Sequence, residues 1–152
     1  MVDKEGIVFH MESDMYASVA TRSANAYKRV AVDTTLDVAS PHALVSMLFD
    51  ELLRSLACAR TAIVQKDVNA KVRHIGKAIR ILEEGLRAPL NLDAGGELGA
   101  NLYALYEYCS HKLVLANARS DEKGLQEITD LITPIAQSWK QIGGRVNDPS
   151  AT

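Results

Sequence analysis

Aromatic side chains are scarce in this chain, at 5%, with one tryptophan and two phenylalanines. Sheets draw on aromatic and β-branched residues to cover their faces, whereas leucine and alanine dominate here, so the composition favours helix. Cysteine is almost absent. Cys58 and Cys109 stand far apart in helix-patterned stretches, which reads as two small core thiols and not as a disulfide framework. Charge of one sign is also lacking: 17 Lys and Arg face 19 Asp and Glu, for a net charge of -2. A chain without a basic excess is not built to wrap a polyanion, so nucleic acid is not an expected partner. No apolar run approaches the roughly 20 residues that cross a bilayer, and Ile7-Val8-Phe9 is too short for the core of a signal peptide. The expectation is a cytoplasmic protein without membrane insertion.

Catalytic and metal-binding patterns are missing too. His10, His42, His74 and His111 do not share a helix at ligand spacing, and each reads as a surface or boundary residue. Glu83-Glu84 is a doubled carboxylate, but adjacent helical residues point about 100° apart and make no acid–base pair. No Glu-x-x-His occurs, which argues against a di-iron bundle. Gly95-Gly96 lacks the Gly-Lys-Ser/Thr ending of a phosphate loop. No enzyme activity, cofactor or metal is expected.

What is present is helical periodicity. With 152 residues the chain suffices for one domain with one core. Ser40-Pro41 is a helix start, with Ser as N-cap and Pro at the first helical position. Leu44, Leu48, Leu52, Leu56, Ala59 and Ile63 mark the face of a helix running to about Gln65. After a turn at Lys66-Asp67, a helix over 68–90 carries Val72, Ile75, Ile79, Leu82 and Leu86 at heptad spacing. Residues 91–95 form a loop, and Gly95-Gly96 frees the backbone to turn. The next helix, over 96–118, places Glu97 in its first turn and Leu98, Leu102, Leu105 and Cys109 on its core face. A turn at 117–121, capped by Ser120 or Asp121, leads to a last helix over 121–142 that Gly143-Gly144 ends. Pro134 inside it predicts a kink and not a break. Four helices on short loops predict an all-α, antiparallel up-down four-helix bundle spanning 15–145. A short N-terminal helical cap over 15–39, a loose leader over 1–14 and a flexible tail over 146–152 complete the expected organisation.

Apolar residues are in surplus. Seven of the ten residues from Leu44 to Leu53 are apolar, covering more than one stripe. Tyr103, Tyr106, Val114 and Leu115 lie beside the seam on the helix over 96–118. One core cannot absorb every stripe, so these two helices predict an exposed groove for a partner helix.

Several stretches, in this order, carry a family resemblance: Met15-Tyr16, Ala26-Tyr27, Ala39-Ser40-Pro41-His42, Met47-Leu48-Phe49-Asp50 and Lys77-Ala78-Ile79-x-Ile81-Leu82. They continue with Gly85-Leu86, Leu90-Asn91, Gly95-Gly96-Glu97-Leu98, Asn101-Leu102-x-x-Leu105-Tyr106-x-Tyr108, Ala116-Asn117 and Trp139-Lys140-Gln141-Ile142. Over residues 15–142 the chain resembles the FliS family of flagellin-specific export chaperones. The resemblance implies a bundle that holds the disordered C-terminal segment of flagellin in the cytosol, prevents premature polymerisation and delivers it to the flagellar type III export gate. It implies a client groove at Met47, Leu48, Leu52, Asn101, Leu102, Tyr103, Leu105 and Tyr106, and a cap or export-gate contact at Tyr16, Ala24 and Tyr27. The chain departs from the pattern at residues 1–14, at Ala24, where some relatives carry a larger apolar residue, and at Pro134. The competing reading is a regulatory bundle that sequesters a soluble regulator, flagellar or otherwise. The weakly amphipathic stretch over 15–30 is expected to compete with the client for an apolar groove.

Overall fold

A computed structural model of the chain describes residues 40–146, and the elements among them are helices. Helix α1 spans Pro41–Val64, and α2 spans Val68–Arg80 and continues into a π-helical segment, Ile81–Arg87. Helix α3 spans Leu92–Arg119 and α4 spans Glu122–Val146. Cross-helix pairs fix the directions. Glu51 meets Lys77, Lys71 meets Asn117, Tyr108 meets Glu127, and His42 meets Trp139 while Arg60 meets Glu122. Lys71 near the start of α2 meets the end of α3, His42 at the start of α1 meets late α4, and Arg60 near the end of α1 meets the start of α4, so neighbouring helices run antiparallel in the up-down-up-down bundle expected. The anticipated leader, cap and residues 147–152 lie outside the described residues, Tyr16, Ala24 and Tyr27 among them.

Each helix begins on a side-chain cap. Ser40 Oγ accepts from the Ala43 N–H at 3.1 Å with Pro41 in the first turn. Asp67, Asn91 and Asp121 repeat the arrangement, accepting from Ala70, Ala94 and Gly124 at 3.1 Å each. Such a cap stabilises a helix by about 1 kcal/mol. Two of the helix ends share one motif. Lys66 and Ser120 take φ of 58° and 50°, and the next residue's N–H turns back to Ala62 O at 2.9 Å and Ala116 O at 3.0 Å. This closes a helix without the glycine that the left-handed position usually favours. At the second of these ends the buried Lys71 ammonium donates to Asn117 O and Ser120 Oγ, both at 2.9 Å. A cation there satisfies carbonyls left open by the helix end.

The core is continuous. Leu44, Val45, Leu48, Phe49, Leu52 and Leu56 enter it from α1, and Leu125, Ile128, Ile132, Ala136 and Trp139 from α4. Two registers differ from the sequence reading. Along α2 the buried face is Ile75, Ala78, Ile81, Leu82 and Leu86, while Val72 is exposed and Ile79 half-buried. The expected single α-helix over 68–90 is an α-helix that widens into a π-turn, where the Ala88 N–H reaches Glu83 O at 2.9 Å. The wider turn brings Ile81 and Leu82, then Gly85 and Leu86, inward together. Gly85 packs so closely on Leu48 that a Cβ would lie 3.1 Å from its Cδ2.

Along α3 the buried residues are Gly95, Gly99, Tyr106, Cys109, Ser110, Leu113 and Ala116. Leu98, Leu102 and Leu105, read as the core seam with Cys109, are half-buried at its margin. The helix starts earlier than expected, at Leu92, and Gly96 kinks it at φ 56°, ψ -136°. Helix α4 runs unbroken through Pro134 and also through Gly143-Gly144, which do not end it. Thr129 and Thr133 hydroxyls donate to Leu125 O and Thr129 O, at 2.9 and 2.7 Å, just before the proline.

Candidate functional site: an apolar groove between α3 and α4

The half-buried leucines of α3 define one wall of a groove. Leu98 and Leu102 face Pro134, Ile135, Ser138 and Trp139 of α4, and Phe49 and Tyr106 lie beneath them. The cavity measures about 220 Å³. None of these eight lining residues carries a charge, so it offers dispersion and desolvation and little else to a ligand. Its walls follow helical spacing: Leu98 and Leu102 are one turn apart, as are Pro134 and Ser138, and Ile135 and Trp139. Beside it, Lys140 pairs with Asp50 at 2.6 Å across α4 and α1. Elsewhere on α3, Tyr108, Val114 and Leu115 are each about half exposed.

The Trp139 wall is fixed from α1. The His42 and Trp139 rings stack at 4.5 Å with an interplanar angle of 8°. His42 Nε2–H donates to Trp139 O at 2.6 Å, and Trp139 Nε1–H donates to His42 O at 3.0 Å. Gly143 closes the pocket behind the imidazole: a Cβ there would overlap His42 Cε1.

The residues predicted for the groove divide into three groups. Leu102 and Tyr106 line it. Met47, Tyr103 and Leu105 are half-buried and packed against the core, Tyr103 with the Arg87 guanidinium 5.5 Å above its ring, and Asn101 is exposed. Leu48 and Leu52 are fully buried. Sequence reasoning passed over Phe49, Leu98 and the whole α4 wall as groove residues. Pro134, Ile135, Ser138 and Trp139 do form a stripe at positions i, i+1, i+4 and i+5, which is the signal that marks a second amphipathic edge.

Reactive chemistry is weak throughout the described residues. Burial, with the Glu127 charge adding to it, pushes the Cys109 thiol up to about 11, so it stays protonated and unreactive. Burial and then the charges of Arg73, Arg54 and Lys77 push His74 down. Among the described residues no three His, Cys, Asp or Glu side chains gather as a metal site, and no helix is long and apolar enough to cross a membrane.

Known proteins share this pattern. The family model described as "Flagellar protein FliS" matches residues 23–146. The flagellar secretion chaperone FliS of Salmonella typhimurium is 41% identical over 122 residues, covering 80% of this chain and 90% of the relative. The FliS of Escherichia coli is 37% identical, covering 84% and 91%. The flagellar secretion chaperone FliSB of Pseudomonas aeruginosa is 38% identical, covering 84% and 98%. On the matched helices and the length of these likenesses, the chain belongs to the FliS family of flagellar proteins.

Proposed function

We propose that this chain is a cytosolic chaperone of flagellar export that receives the disordered C-terminal segment of flagellin in the α3–α4 groove, blocks premature polymerisation and delivers the subunit to the type III export gate. The observation that carries the client site is the uncharged groove itself, walled by leucines of α3 and by Ile135 and Trp139 of α4. Its two parallel apolar edges match the i, i+3/i+4 anchors of an amphipathic helix. A client that is disordered when free orders on this surface, so apolar burial drives association and chain entropy opposes it. The segment over 15–30, with Tyr16 and Tyr27, competes for the same surface when no client is present. Tyr27 and Ala24 otherwise serve the encounter with the export gate.

Titration calorimetry of the full chain with a synthetic flagellin C-terminal peptide tests the reading. Binding is expected with a clearly negative heat-capacity change. Leu102→Asp sets an unpaired charge in the groove and weakens binding by about 100-fold or more. Binding that falls steeply with salt, shows no heat-capacity change and ignores Leu102→Asp would replace the groove by a charge-driven surface. Deleting residues 1–30 strengthens binding if the segment is a competitor, and weakens it if the segment belongs to the site.

A further inference from the structure

We propose that His42 is the positioning residue of the groove, holding the Trp139 ring in place as its wall; this rests on the groove being the client site. His42 does not line the cavity, yet it contacts Trp139 in three ways at once. The imidazole stacks on the indole, its Nε2–H binds the Trp139 carbonyl, and its own carbonyl receives the indole N–H. The two residues are 97 positions apart, so the clamp ties the first turn of α1 to the late part of α4.

The indole is carried by a stretch of α4 with features that favour bending. It stands five residues beyond Pro134, which removes a backbone donor from its helix, and after two threonines whose hydroxyls bond back along it. Each of these features favours bending of a helix. With α4 weakened at that point, the orientation of its later half depends on contacts made beyond the proline. His42 supplies a directional contact there, and Gly143 leaves the imidazole the room it needs. Any larger residue at 143 drives into the ring and expels it. The stack and the indole N–H bond to the His42 carbonyl orient the ring, the imidazole bond to the Trp139 carbonyl anchors its backbone, and a preformed wall lowers the ordering cost of binding.

The test uses the full chain and the flagellin C-terminal peptide. Trp139 is the only tryptophan, so its emission reports the wall directly. His42→Ala is expected to shift that emission to the red and to weaken peptide binding about tenfold, with helicity retained. Gly143→Ala reaches the same state from the opposite side without altering any lining residue, and is expected to reproduce both changes. His42→Gln restores a donor near the Nε2 position and recovers part of the affinity. Ser40→Ala removes the α1 cap and lowers stability without touching the indole, so it leaves emission and affinity unchanged. If His42→Ala and Gly143→Ala bind peptide as the wild type does, or if Ser40→Ala weakens binding as much as they do, the positioning role is overturned. If the wild-type chain itself does not bind the peptide, the client reading falls and the positioning role falls with it.

Discussion

Helices α1 and α3 are both long and rich in apolar residues, 24 and 28 residues respectively, yet they turn opposite kinds of side chain inward. From α1 the large residues Leu44, Leu48, Phe49, Leu52 and Leu56 go to the core. From α3 the inward face is mostly small, with Gly95, Gly99, Cys109, Ser110 and Ala116, and only Tyr106 and Leu113 add bulk. Small inward residues let α3 lie close to its neighbours, and its leucines other than Leu113, with Val114, are left at the margin or outside. A helix that buries its leucines holds the fold together. A helix that keeps them at the margin supports an interface, since apolar side chains already half out of water are available to a partner at small structural cost.

The contrast breaks most readily within α3 itself. Leu113 is fully buried and Leu105 is half-buried. Leu113→Ala is expected to destabilise the bundle by about 2–5 kcal/mol, as large-to-small core changes do, and Leu105→Ala by about 1 kcal/mol. Urea unfolding of the two variants measures both. Equal losses would mean that α3 has no small inward face distinct from its leucine edge.

The second effect concerns how α3 is set against its neighbours. Gly96 holds φ 56°, ψ -136°, where a side chain is strained. Gly96→Ala is expected to cost about 1–3 kcal/mol and to disturb the start of the Leu98 wall, so stability and peptide affinity fall together. Gly76 stands in a helix interior, and a Cβ added there would meet nothing within 4 Å. Gly76→Ala is therefore expected to be neutral or to stabilise by up to about 1 kcal/mol. A thermal melt of the pair separates a backbone requirement from general intolerance of alanine.

These differences also explain what was legible in the sequence. The cap at Ser40, and the choice of Ser120 or Asp121 for the last helix, are local chemistry and follow from residue type, whereas Asp67 reads only as a turn. The face of α1 follows from spacing alone, because no other pattern competes with its leucines. Along α3 two patterns compete. The leucines at 98, 102 and 105 have the stronger hydrophobic rhythm, but the small residues at 95, 99, 110 and 116 allow closer packing, and closeness decided the face. Along α2 the heptad spacing holds at Ile75, Leu82 and Leu86 but misses at Val72 and Ile79, where Lys71 and Ala78 turn inward instead, and the π-turn that adds Ile81 to the face is marked by no periodicity. Of the eight residues that line the cavity, the sequence reading names only Leu102 and Tyr106. Its α4 wall follows from which helices are neighbours, and the His42–Trp139 clamp joins residues too far apart in sequence for any spacing rule to connect.

The smallest expected effect compares the two outer seams, α1 with α2 and α3 with α4. Each has a carboxylate between two donors: Glu51 with Arg54 and Lys77, and Glu127 with Lys112 and Tyr108. The Arg54 hydrogen bond, with Lys77 adding to it and partial burial opposing it, pulls Glu51 down to about 2. Lys112 and Tyr108 lower Glu127 in the same direction, but that pair lies at the surface in contact with water. A carboxyl whose pKa is lower in the folded state stabilises the fold above its unfolded pKa of about 4.3, and the contribution disappears as pH falls toward the folded value. Arg54 is largely in water, with 60% of its side chain accessible, so screening reduces the Glu51 contribution to about 1 kcal/mol. Glu51→Gln should therefore lower stability at neutral pH and match the wild type near pH 2, with the difference closing between about pH 4.5 and 2. Glu127→Gln should leave the acid limb where it is. Urea midpoints collected across that range check both. A Glu51→Gln loss that persists unchanged at low pH would assign the effect to packing at the α1–α2 seam and remove charge from the account.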